Sequence, residues 1–165
     1  MNRTLAIIAI IFIAISCKKS DSDGIAPEDK QRAAELQTFL QSNSFELKKY
    51  YSETPIDYID TDQVVKAETE LWSYVSAWLH DDEYIFNADG SVSVKQNTQT
   101  IPSSTSATIT KTYKVEADKN GVGFNFIGHE YQNLAYRLVT FNDTMIKVSA
   151  SWNGKTVISE YNIIQ

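Results

Sequence analysis
Read for the spacing of its apolar residues, the chain divides into an unbroken run, a stretch of helical periods and a long stretch of strict alternation. Residues 5–15 are continuously apolar, and residues 18–24 are polar and aperiodic. Ala26-Pro27-Glu28-Asp29 then has the form of a helix start, with an early proline and acids in the first turn. Ala33, Leu36, Phe39 and Leu40 recur at helical spacing and predict a helix near 28–42, ended by Ser42-Asn43. Residues 44–51 alternate around Phe45 and Leu47 and predict a strand, which Pro55 is expected to break. A second helix is predicted near 62–79, with Asp62 as N-cap and Val64, Leu71, Val75 and Trp78 on one face. Its aromatic stripe reads as core, packed across a sheet or plugging the end of a barrel.

From residue 82 the period falls to two. Residues 83–87 lead into Asn87-Ala88-Asp89-Gly90, whose Asp-Gly is a hairpin signal, and Val92 and Val94 line the returning strand. Beyond the polar loop 97–104, Ala107, Ile109, Tyr113 and Val115 alternate against Thr108, Thr110, Thr112 and Lys114. Asp118-Lys119-Asn120-Gly121 turns the chain into Val122, Phe124 and Phe126. Residues 134–141 follow, then Ile146, Val148, Ala150 and Trp152 on one face. Asn153-Gly154 is the sharpest turn signal, and Val157, Tyr161 and Ile163 alternate in the last strand. Gly90 and Gly154 are expected at positive φ. The fold class is therefore mainly β: an antiparallel up-and-down meander of about eight strands, with two helices in the N-terminal half. One apolar face and short turns favour closure into a barrel or strongly curled sheet, which removes exposed edges. Eight strands leave room for packed side chains or one small ligand.

The N-terminal run changes the picture of where this domain works. Arg3, the apolar run and Ala14-Ile15-Ser16 before Cys17 form the plan of a secretory signal peptide spanning residues 1–16. Eleven helical residues reach roughly 17 Å, against roughly 30 Å for a bilayer core. Ala14-Ile15-Ser16-Cys17 resembles the lipobox of bacterial lipoproteins, with Ala14 where that motif usually has Leu. The resemblance implies cleavage between Ser16 and Cys17, and acyl chains such as palmitate on Cys17. Residues 17–26 then form a lipidated, flexible tether to one domain, 27–165. Cys17-Lys18-Lys19 followed by Ser and Asp resembles the tethers of Bacteroidota lipoproteins, which implies the outer membrane and exposure at the cell surface.

Without residues 1–16, which carry Arg3 and no acid, the chain has 14 Lys+Arg against 21 Asp+Glu, a net charge of −7. Such a surface repels phosphate backbones, so nucleic acid is not an expected partner. Cys17 is the sole cysteine, so packing alone must hold the domain.

The segment Leu79-His80-Asp81-Asp82-Glu83-Tyr84-Ile85-Phe86-Asn87-Ala88-Asp89-Gly90-Ser91 resembles a recurrent stretch of lipocalin-like lipoproteins of Bacteroidota. The run from Tyr136-Arg137-Leu138 through Asp143-Thr144-Met145 to Asn153-Gly154-Lys155 resembles the last hairpins of the same group. The likeness covers roughly residues 36–165. The family's first-strand Trp is absent, and Phe45 takes its place. Membership implies a lipocalin-like barrel and ligand binding, with no catalytic residues to carry over.

Candidate chemistry is sparse. His80 and His129 have no second soft ligand at metal spacing. No nucleophile elbow, catalytic cysteine or phosphate loop occurs. Asn87-x-Asp89-Gly90 imitates part of a calcium loop, but Ile85 and Gln96 stand where its first and twelfth ligands are needed. Asp81-Asp82-Glu83 reads as a solvated junction rather than an acid pair. Asp143-Thr144-Met145 matches a short O-glycosylation pattern. The sequence is thus read as a non-enzymatic lipoprotein with no cofactor and no metal. A small, partly apolar ligand is expected inside the barrel, with Tyr113, Phe124, Phe126, Tyr136 and Trp152 as lining residues. The rival reading is a protein-interaction module, such as an enzyme inhibitor or an accessory subunit of a surface complex.

Overall fold
The computed structural model describes residues 24–59, 65–98, 100, 106–126, 135–152 and 154–164; the signal, Ser16 and Cys17 lie outside them. One helix, α1 (Pro27–Ser42), precedes nine strands: β1 (Ser44–Ile59), β2 (Val65–Glu70), β3 (Glu83–Phe86), β4 (Ser91–Lys95), β5 (Thr108–Asp118), β6 (Gly121–Phe126), β7 (Ala135–Asn142), β8 (Met145–Trp152) and β9 (Lys155–Ile163). The sheet order is β2-β1-β3-β4-β5-β6-β7-β8-β9, and β1 also pairs with β9. Eight antiparallel strands thus close an up-and-down barrel, as the alternation predicts, and β2 is an extra strand on its wall. Closure runs along a seam from Phe45↔Ile163 to Ser52↔Val157.

Inward positions are apolar on strand after strand: Val92 and Val94 on β4, Val122 and Phe124 on β6, and Ile146, Val148 and Ala150 on β8 are all buried. Helix α1 starts on Pro27 with Glu28 and Asp29 in its first turn. Its last carbonyls are met by side chains: Asn43 Nδ2 donates to the Phe39 carbonyl at 2.8 Å, and Ser42 Oγ to that of Thr38 at 2.8 Å. The helix packs against β3, β5 and β6 and plugs one end of the barrel, with Leu36 and Leu40 fully buried.

The second helix expected near 62–79 does not form. Asp62 and Val64 lie outside the described residues; Val65–Glu70 is β2, and two single 3-10 turns, Trp72–Tyr74 and Ala77–Leu79, follow it. The apolar spacing survives in another conformation. Leu71, Val75 and Leu79 still reach the core, because 3-10 turns separated by the extended Ser76 (ψ 135°) also bring every fourth residue inward. Pro55 does not end the first strand either. Pairing between β1 and β2 lapses between Tyr51 and Ile56, where Pro55 has no N–H to give, and then resumes to Ile59.

The turn glycines are as expected in conformation, with φ +83° at Gly90 and +74° at Gly154. Gly154 sits in a two-residue connection between the paired Trp152 and Lys155. Gly90 instead ends a three-residue connection: its N–H donates to the Asn87 carbonyl at 3.1 Å, and the Asn87 N–H to that of Ser91 at 2.8 Å. An added Cβ at Gly154 meets nothing within 4 Å, so only backbone strain opposes a side chain there. Replacing either glycine by Val is expected to cost about 1–2 kcal/mol in urea unfolding. Melting points within a degree of the parent for both would refute the turn geometry.

Candidate functional site
The barrel interior has two layers. The one beneath α1 is aromatic: Phe39 lies 4.9 Å from Phe141 and 5.5 Å from Phe45, and Phe86 meets Phe45, Tyr113 and Phe124 at 5.7, 4.9 and 5.7 Å between ring centres. Tyr113 belongs to the plug. Its hydroxyl accepts from Gln37 Nε2 at 2.8 Å and Gln41 Nε2 at 3.1 Å, and donates to the Asn87 carbonyl at 3.0 Å.

The next layer, farther from α1, is polar in a way an apolar barrel core does not need. Tyr50, Tyr84, Tyr136 and Tyr161 are buried, as are Asp82, Gln96 and Ser159. Tyr84 packs edge-on against Tyr161 at 5.6 Å. Burial pushes the Tyr50 hydroxyl up to about 12. Burial raises Tyr84 well above its ordinary value, reinforced by Asp82 and Tyr136. Tyr136 and Tyr161 rise for the same first reason, reinforced by the other phenols of the layer. All four are therefore neutral at physiological pH. They can give and accept hydrogen bonds.

Of the residues expected to line a ligand site, Phe124 and Tyr136 stand opposite each other in the β6–β7 register, next to the Tyr113–Phe126 pair of β5 and β6. Phe124 and Tyr136 are buried, Tyr113 anchors the plug, and the Phe126 side chain lies outside the described part of the chain. Trp152 is partly buried against the core near the end of the barrel away from α1. Buried in the same interior are residues not singled out from the sequence as lining a site: Tyr84 beside Phe86, Gln96 beyond Val92 and Val94, and Ser159 and Tyr161 beyond Val157. Asp82 shares the parity of Tyr84 and is 1% exposed, so the acidic trio is not the solvated junction expected of it. Asp81 instead accepts from the Thr98 N–H at 2.8 Å, and Glu83 pairs with Lys95 at 3.1 Å.

His80 stacks on Trp72 with ring centres 4.2 Å apart, and His129 lies outside the described residues. Among the described residues no cluster of His, Cys, Asp or Glu is arranged to hold a metal ion. Asp89, the acid of the calcium-like motif, accepts from the Ser91 N–H and hydroxyl at 2.8 and 2.6 Å, a turn-forming role. On the outer wall, a hollow of about 390 Å³ spans β5–β7 above Gly123. Its charges pair off, Arg137 with Asp118 at 2.6 Å and Lys114 with Glu116. No family model, curated protein or solved structure matches the chain.

Proposed function
We propose that this protein is a lipid-anchored, non-enzymatic member of the lipocalin-like group, which holds a small, partly apolar ligand in the tyrosine-lined half of its barrel. The observation that carries this reading is the buried layer of four neutral phenols with Asp82, Gln96 and Ser159. An all-apolar interior would fill the same space without these seven polar side chains. A mixed wall of aromatic faces and a few directed polar groups is the composition of ligand sites. With α1 plugging one end, the ligand enters from the other, where Trp152 lies. Its apolar part rests against Phe124 and its polar part against Tyr136 and its neighbours.

The test is tryptophan emission in a Trp72→Phe, Trp78→Phe background, which leaves Trp152 as the reporter. Titration with fatty acids, haem and hydrophobic dyes is expected to give saturable quenching. Tyr136→Phe is expected to weaken the binding about tenfold, the loss of one buried hydrogen bond. No saturable response to any of these probes would overturn the reading.

The anchor is a separate expectation. Among the described residues no helix is long and apolar enough to cross a membrane. Acyl chains on Cys17, each methylene contributing about 0.8 kcal/mol, would hold the domain at the outer membrane. Cys17→Ala is expected to move the protein to the soluble fraction. Fatty-acid labelling that persists in that variant would refute acylation at this residue.

A further inference from the structure
The eight barrel strands each pair with a neighbour on both sides, whereas β2 pairs on one side only among the described residues. It pairs with β1 from Tyr51↔Glu70 to Ile59↔Val65, on the side of β1 opposite β9. Among the described residues no strand pairs with its other edge. Five of its six residues are exposed, and Val65 is 64% exposed. In an antiparallel ladder every second residue turns its N–H and C=O away from the neighbour it already has, so β2 offers a row of backbone groups to a further strand.

Edge strands are commonly blunted by charge, and β2 carries Lys66, Glu68 and Glu70. The order of those charges matters more than their number. A two-fold antiparallel pairing of β2 with itself must place residues of equal parity opposite each other. Centred on Lys66 it opposes two lysines, and centred on Glu68 two glutamates. Centred on Ala67 it opposes Lys66 to Glu68 twice and Val65 to Thr69 twice, with no like charges facing. Opposite charges directly across a ladder stabilise it, and like charges disfavour it.

We propose that β2 is a self-association edge. Two copies of the chain pair antiparallel through Val65–Thr69 about a two-fold axis at Ala67, joining their barrel walls into one continuous sheet. The charge order fixes the register. Pairing along five residues buries little surface, so the contact is weak and depends on concentration.

A thiol trap tests it. In the directly opposed pair at the axis the two Cα atoms stand about 4.5–5.5 Å apart, within the range a disulfide spans. The full chain carrying Cys17→Ala and Ala67→Cys, with its one thiol on the axis, is compared under mild oxidant with Cys17→Ala, Thr110→Cys, whose thiol sits on the exposed face of β5. The β2 thiol is expected to form cross-linked dimer at least tenfold faster. Adding Lys66→Glu, which sets four acids across the axis, is expected to abolish that advantage. Adding Lys66→Glu with Glu68→Lys keeps the parent's charge composition and is expected to restore it. A rate equal to the β5 control, indifference to the charge swap, or trapping of a different protein in place of a second copy would each overturn the proposal.

Discussion
Replacing Leu40 by Ala is expected to lower the unfolding free energy by about 3 kcal/mol, with Leu36→Ala close behind. Both side chains are fully buried where α1 enters the barrel. A Leu→Ala change in such a site loses the transfer free energy and leaves a cavity, which costs about 2–5 kcal/mol. The surroundings here have little room to collapse, since Phe39, Phe45, Phe86 and Phe141 already hold one another in ring contact. The helix itself makes the effect large. A 16-residue helix is marginal in water on its own, so α1 persists because it docks. For a chain of this length the change corresponds to a fall of about 6–12 °C in Tm. Thr38→Ala, on the exposed side of the same helix, is the control and should shift stability by less than about 0.5 kcal/mol. Equal effects of Leu40→Ala and Thr38→Ala would mean that α1 does not plug the barrel.

The barrel was legible in the sequence because alternation and turn chemistry are local. Val92 and Val94, or Ile146, Val148 and Ala150, declare their inward face within five residues, and Asp89-Gly90 and Asn153-Gly154 declare where the chain reverses. The segment 62–79 was not legible, since its fourth-residue spacing is satisfied equally by a helix and by 3-10 turns. What decides between them is that the far half of β1 takes Val65–Glu70 as its partner. The continuation of β1 past Pro55 is likewise a property of the partner strands.

The interior site was half legible. Alternation placed Phe124 inside, and Tyr136, opposite it on β7, is buried as well. Tyr113 was also placed inside, but its hydroxyl serves the plug because Gln37 and Gln41, 76 and 72 residues away, close over it. The polar character of the layer was missed for a different reason. Asp82, Gln96 and Ser159 are residue types that usually face water, and only the closure of the sheet encloses them.

Closure itself rests on a polar device outside the barrel, and its removal gives the second large effect. Glu160 on β9 is 8% exposed although it faces outward. Its carboxylate takes Lys147 Nζ at 2.7 Å, Lys49 Nζ at 3.1 Å and the Tyr51 hydroxyl at 3.0 Å. Lys49 and Lys147 are its register partners on β1 and β8, so one carboxylate ties the first strand to the last two across the closing seam.

Burial alone would raise the Glu160 carboxyl, but the hydrogen bonds from Lys147, Lys49 and Tyr51 outweigh it and hold the group below the ordinary glutamate value of 4.5. The hydrogen bond to Glu160 in turn raises Lys147 above its ordinary value. Glu160→Ala is expected to cost about 2–3 kcal/mol at neutral pH. That is less than breaking a fully buried pair costs, because both lysines can return to water. The sign of the pH dependence follows from the depressed carboxyl. As pH falls below about 4.5 the unfolded chain takes up this proton before the folded one does, so the contribution of Glu160 is complete above that pH and drains away below it. The raised Lys147 keeps the pair intact on the alkaline side until beyond the ordinary lysine range. Urea unfolding of parent and variant across pH 3–8 should therefore give a stability difference that is level from pH 5 upward and narrows toward pH 3. A difference that stays constant into acid would show that Glu160 acts through packing, and that its charge does not hold the seam.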